Sequence, residues 1–249
     1  MYNILGARNS SLVKEGKKMK TKMKNFLILM MVVLVIMLIF IQREREAKEM
    51  ARNSGSQIIK LPLPRKRGDV SLEEAILKRR SKREFKTGHL SKEQISQILW
   101  AAQGITDPNG LFRSVPSAGA LYPLEIYIAS SEGVYHYRPD GHILERVLTD
   151  DVRLALCEAA LGQEFIAQAP LDIVITAIYE RTTGKYEQRG IRYVHMEAGH
   201  CAQNILVQAV ALGLGSVPVG AFSDESVSKV LSLPPECKPL YIIPIGYSQ

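Results

Sequence analysis

One stretch limits what this chain can fold into more than any other. From Tyr193 to Leu212 the sequence reads as a long helix that Ala198, Ala202, Ile205, Leu206, Ala209 and Val210 leave apolar on most sides, with Gly213 as its stop. Such a helix lies in a core or at a subunit interface. Upstream, Leu171-Asp-Ile-Val-Ile-Thr-Ala-Ile178 is a near-continuous apolar strand, which belongs at the centre of a sheet covered on both faces. The other elements mix helix and strand without a strict βαβ rhythm and without internal repeats. The expected fold is α+β, three layers around one central mixed sheet.

The remaining elements have local signatures. Ser71-Leu-Glu-Glu74 and Ser91-Lys-Glu-Gln94 are capping boxes that open helices to about Arg79 and to Gly104. Small residues at Arg113–Pro123 run into Leu124–Ala129, an alternating strand, and let the backbone approach a flat ligand or a packed neighbour. Pro139-Asp140-Gly141 marks a hairpin whose strands carry His136 and His142, read as rim residues. Residues 150–162 read as one amphipathic helix, and Thr182–Arg192 as polar. Gly213–Phe222 is a glycine-rich strand and turn, Ser223 caps a helix to Leu231, and Pro239–Gly246 is the last strand.

Charge is unevenly placed. Residues 1–67 hold 15 Lys and Arg against 4 Glu, whereas residues 68–249 hold 17 against 21 acidic residues. The globular part is thus mildly acidic, which argues against a nucleic-acid partner. Within it, Arg79-Arg80-Ser81-Lys82-Arg83 stands out as either a solvated, dipole-matched helix end or a phosphate site. Cys157, Cys201 and Cys237 form no CxxC, and Cys157 and Cys201 read as small buried hydrophobes. His195 and His200 lack the spacing of a zinc-binding helix, so no metal is assigned, although Glu197 and His200 can pair along one face.

Phe26–Ile41 is uninterrupted apolar sequence, sixteen residues spanning about 24 Å as a helix. No small-residue cleavage site follows it, so it reads as a retained membrane anchor rather than a removed signal. Six lysines precede it and four basic residues follow, a bias toward a cytoplasmic N-terminus and an extracytoplasmic catalytic domain. The expected organisation is a basic tail 1–25, an anchor 26–41, a linker 42–68 and one domain 69–249.

Several of these stretches recur together, in this order, in a known family. They are the basic cluster 79–83, Pro-Ser-Ala-Gly-Ala-Leu-Tyr-Pro at 116–123, Ala-Leu-Gly-Gln at 160–163 and Arg-Thr-Thr-Gly-Lys-Tyr at 181–186. Glu-Ala-Gly-His-Cys-Ala-Gln-Asn at 197–204 and Gly-Leu-Gly-Ser-Val-Pro-Val-Gly-Ala-Phe at 213–222 complete the set. Over about residues 70–247 the chain resembles the SagB-type (ThcOx-like) dehydrogenase branch of the FMN-dependent nitroreductase family. The resemblance implies a three-layer nitroreductase-like fold and a homodimer holding FMN at its interface. Arg79, Arg80, Ser81 and Arg83 match the stretch for the FMN phosphate and ribityl chain. Pro116, Ser117, Ala118 and Gly119 match the stretch reaching the flavin from the other subunit, and Val219, Gly220 and Ala221 the turn at its reactive edge. Lys185 and Tyr186 match a catalytic pair of azoline-oxidising members, against the plainer reading of a polar loop. The chain departs from that pattern in ending soon after the last strand and in carrying an anchor in place of a fused cyclodehydratase. The implied activities are hydride transfer between flavin and a small or peptidic substrate, or NAD(P)H-dependent nitro or quinone reduction. A flavin-binding scaffold without turnover is the alternative outside enzymes.

Overall fold

The computed structural model describes Met30, Met31 and Met37 and residues 57–248. The run 26–41 therefore lies almost wholly outside the described residues, as do the tail and most of the linker. Among the described residues no helix is long and apolar enough to cross a membrane.

Within residues 57–248 the sheet has seven strands: β1 Ile58–Lys60, β2 Leu124–Ser130, β3 Gly133–Arg138, β4 Ile143–Leu148, β5 Leu171–Ile178, β6 Gly215–Ser216 and β7 Cys237–Gly246. Their order is β1-β4-β3-β2-β5-β7-β6. Every strand pair is antiparallel, which corrects the expected mixed sheet. The reason lies in the connections. Tight turns join β2, β3 and β4 as hairpins, and the longer excursions return the chain reversed beside β2 and β5. The one parallel pairing among the described residues is an isolated bridge between Ser81 and Ser216.

Strand β5 sits between β2 and β7 with seven of its eight residues buried, as its apolar sequence requires. Alternate residues feed two cores. Ile173 and Ile175 join Ile126, Ile128, Ile243 and Ile245 under two helices, Lys92–Gln103 and, further along the chain, Gln188–Ala211; α1 Leu72–Lys78 packs on the latter, and Lys92–Gln103 is α2. Val174 joins Tyr127, Ala129 and Ile242 on the opposite face, under α3 Arg153–Ala159, α4 Phe165–Gln168 and the helix Asp224–Val230. These two cores make the three layers. Residues 150–162, read as one helix, instead give α3 and then a turn through Leu161 and Gly162, both at positive φ, before α4. Likewise Thr182–Arg192 is helical: α5 Glu180–Tyr186 runs into α6 Gln188–Ala211 across Glu187, and Asp224–Val230 is α7.

Caps account for the helix starts. Ser71 accepts from the Glu74 N–H, Ser91 makes a complete capping box with Gln94, and Ser223 accepts from the Ser226 N–H. Part of the stretch read as linker belongs to the sheet. Ile58–Lys60 pair with β4, Leu61 is buried, and α2 grips the strand's continuation. Ser96 Oγ donates to Pro62 O at 2.5 Å, and Gln97 exchanges two hydrogen bonds with the backbone of Arg65.

Candidate active site

The basic stretch 79–83 follows α1 with Arg79 as its C-cap. From there the chain is laid beside β6: Ser81 bridges Ser216, and the Lys82 N–H donates to Ser216 O at 3.0 Å. Three residues past β6, Val219 exchanges two backbone bonds with Ile242 of β7, at 2.8 and 3.0 Å. The pairing of β6 with β7 therefore brings 79–83 and Val219-Gly220-Ala221 to one edge of the sheet. Gln163 ties in a third segment, its Nε2 donating to Ala160 O at 2.8 Å and to Ala221 O at 3.0 Å. The Arg83 guanidinium lies 5.8 Å from the centre of the Phe165 ring. At Gly220 an added Cβ would meet nothing within 4 Å, so the turn borders open space.

The four matched residues of the basic stretch, Arg79, Arg80, Ser81 and Arg83, divide. Arg80 Nη1 donates to Leu77 O and Arg79 O at 2.9 and 2.8 Å, so its charge serves the end of α1. Arg79, Ser81 and Arg83 have no side-chain hydrogen bond or ion pair among the described residues. Two guanidinium forks and a hydroxyl on one extended segment suit a phosphate dianion, and an open glycine turn beside them suits a planar ring. The residues present therefore fit FMN.

A second group gathers around Pro116–Gly119. A short 3₁₀ turn, Ala118–Ala120, places Gly119 at φ 64°, and Ala120 and Tyr122 also have positive φ. A Cβ on Gly119 would stand 2.8 Å from Tyr186 Oη and 3.1 Å from Lys185 Nζ. Lys185 and Tyr186, at the end of α5, thus meet the loop residue with the least side chain, and Tyr186 also makes an edge-on contact with Tyr193. Lys185 and Tyr186 are therefore on a helix, not the loop of the plainer reading.

Behind this loop is a polar layer that the sequence did not disclose, buried at Gln103 and Glu197 and reaching the surface at Arg181. Glu197 of α6 is buried and accepts from Gln103 Nε2 at 3.4 Å; burial raises its pKa above the usual carboxylate value. It does not pair with His200, which is exposed on α6. Arg113 donates to Gln103 Oε1 and stacks over Tyr122. Glu125 on β2 accepts from His136 Nε2 at 2.6 Å and pairs with Arg181 at 2.5 Å. Burial alone would raise Glu125, but the His136 and Arg181 contacts outweigh it and leave the pKa lowered. His136, read as a rim residue, stacks flat on Tyr127 at 4.5 Å, and His142 is bonded on both ring nitrogens. All three cysteines are buried and free.

A cavity of about 460 Å³ lies elsewhere, between the 65–72 segment, α1, α2 and α6, with Trp100, Ser114 and Asn204 on its wall. It includes none of the residues matched to the flavin. The two groups of matched residues are each assembled by the fold of one chain. The nitroreductase family profile matches residues 76–247. The chain is 48% identical over 184 residues, 72% of its length, to a nitroreductase-type protein of Methanocaldococcus jannaschii, 91% of which is covered. It is 30% identical over 155 residues to the microcin B17-processing protein McbC of Escherichia coli, covering 58% of this chain and 57% of that one. Among solved structures, a nitroreductase-type protein of Ralstonia eutropha superposes with a TM-score of 0.71 at 30% identity, covering 79% of this chain and 92% of the other. An FMN-dependent nitroreductase of Clostridium difficile superposes with a TM-score of 0.52 at 25% identity, covering 70% and 86%. With this fold under that extent of sequence match, the chain belongs to the nitroreductase family.

Proposed function

We propose that this chain is an FMN-dependent oxidoreductase of the SagB-type branch, acting on a small or peptidic substrate. The observation that carries the reading is the single sheet edge that gathers Arg79, Ser81 and Arg83 with Gln163 and the open turn 219–221. Arg79 and Arg83 hold the phosphate, Ser81 the adjoining hydroxyls, and the backbone of Val219–Ala221 lies along the ring edge. Gln163 fixes that turn and adds an amide at its rim. Bound FMN supplies hydride transfer. Lys185 and Tyr186 hold or take the substrate proton that departs as the hydride leaves, which suits groups set within reach of Gly119. The resemblance to McbC, named as a microcin B17-processing protein, supports a peptidic substrate.

The proposed working unit is a homodimer in which Pro116–Gly119 of one subunit reach the flavin held by 79–83 of the other. Leu72, Ile76 and Leu77 of α1 and Ile191 and Met196 of α6 are large, apolar and exposed, as an isologous contact needs. The proposed tether is the run 26–41, with the N-terminus cytoplasmic and the domain outside. NAD(P)H-driven nitro or quinone reduction over the same flavin is the second reading, favoured by the nitroreductase names of the relatives.

The reading is tested by titrating flavin-free full-length chain with FMN, riboflavin and FAD. Tight FMN binding that Arg79→Ala and Arg83→Ala both weaken, with riboflavin indifferent to either change, supports it. FMN binding unchanged in both variants sinks the phosphate assignment.

A further inference from the structure

Lys185 and Tyr186 close a helix that cannot place itself. Helix α5 has seven residues, no side-chain cap at its N-terminus and a positive-φ residue, Glu187, after it. Helices this short are marginal without tertiary anchors. The loop it faces is equally dependent. Gly119, Ala120 and Tyr122 all have positive φ, and for the latter two this conformation persists only where surrounding contacts over-determine it. Some of those contacts are within the loop and its neighbours: the Tyr122 N–H donates to Ser117 Oγ at 2.9 Å, and Tyr122 Oη donates to Leu111 O at 3.0 Å.

One side chain joins the two. Arg181 Nη1 donates to Tyr122 O at 3.0 Å, and Arg181 Nη2 pairs with Glu125 Oε1. The other carboxylate oxygen of Glu125 is held by His136, itself stacked on Tyr127 in the sheet. Arg181 precedes Lys185 by four residues and so shares its helix face. A planar guanidinium bonded through both terminal nitrogens, one of them to a carboxylate held in the sheet, fixes orientation as well as distance. We infer that Arg181 is a positioning residue: anchored by Glu125 and His136, it sets Lys185 and Tyr186 against Gly119 and holds the strained carbonyl of Tyr122. The inference rests on the reading of Lys185 and Tyr186 as the pair beside the flavin.

The test uses full-length chain in detergent, saturated with FMN, and reads the flavin fluorescence lifetime, which a neighbouring tyrosine shortens by electron transfer. Y186F removes the quencher and lengthens the lifetime. R181A moves the quencher and lengthens the lifetime most of the way to the Y186F value, while R181K recovers part of the shortening. In NADH-driven menadione reduction, the displaced pair in R181A lowers kcat by about ten- to a hundredfold. If R181A does not fold, the isosteric E125Q carries the test, with the same lengthening expected. A long lifetime in Y186F beside a wild-type lifetime in R181A and E125Q overturns the positioning role and leaves the Lys185–Tyr186 reading standing. A wild-type lifetime in Y186F shows that Tyr186 is not beside the flavin and removes both.

Discussion

Arg80 turns back onto the carbonyls that end α1, whereas Arg79 and Arg83 have no side-chain hydrogen bond or ion pair among the described residues. The three arginines look alike in sequence; the local bonds of Arg80 to the end of α1, and the bridge that carries the chain from Ser81 to Ser216, 135 residues downstream, separate them. Arg83→Ala removes a charge-assisted hydrogen bond of about 1.5–3 kcal/mol, so FMN affinity is expected to fall roughly ten- to a hundredfold. Arg80→Ala is expected to leave FMN affinity near wild type and to lower thermal stability slightly, because its bonds are to α1. Isothermal titration and a melting curve check the pair, and equal losses of FMN affinity in both variants contradict the division. At the other cluster, Gly119→Ala puts a methyl group 2.8 Å from Tyr186 Oη in a left-handed conformation. The strain is of order 1 kcal/mol, and Tyr186 has to move. The expected outcome is a folded protein whose turnover falls more than its FMN affinity does. The loop's small residues were legible in the sequence as a place of close approach; what they approach was not, because Lys185 and Tyr186 arrive from another element.

Helix caps, the β3–β4 hairpin and the central strand were readable because each is written in a few adjacent residues. Strand β1 was not. Ile58–Lys60 is three residues long within a charged, proline-containing stretch, and its status is decided by β4 and by Ser96 and Gln97 on α2. Leu61→Ala is expected to destabilise the domain by about 2–5 kcal/mol in urea denaturation, since Leu61 is 5% exposed in the core. A fragment starting at residue 68 is therefore expected to be less stable than one starting at 56. His142 reinforces this edge: Ser96 Oγ lies 2.7 Å from its Nε2, and Tyr137 Oη lies 2.8 Å from its Nδ1. Burial lowers the His142 pKa, so the native state binds fewer protons than the unfolded chain. The contribution is then fully present above the unfolded value of about 6.5 and is lost as pH falls below it. Urea midpoints measured from pH 7.5 downward are expected to drop less steeply in His142→Gln than in wild type. Identical pH dependence in both proteins rules out this edge as the source.

At the scale of the whole molecule, the acidic domain and the basic, apolar N-terminal segment were separable from charge alone. The three-layer arrangement followed from one buried strand and one apolar helix. The antiparallel sense of the sheet did not, because strand direction depends on where long connections return. With the run 26–41 as an anchor, the intact chain is expected to stay with membranes through an alkaline carbonate wash. Release into the supernatant, or a mature chain starting after Ile41, contradicts the anchor. The flavin itself is the central claim, and the absorbance spectrum of the purified full-length chain tests it most directly. The account predicts a yellow protein with flavin bands, which releases FMN on denaturation and bleaches when NADH is added without air. A colourless protein that takes up no FMN on reconstitution contradicts it.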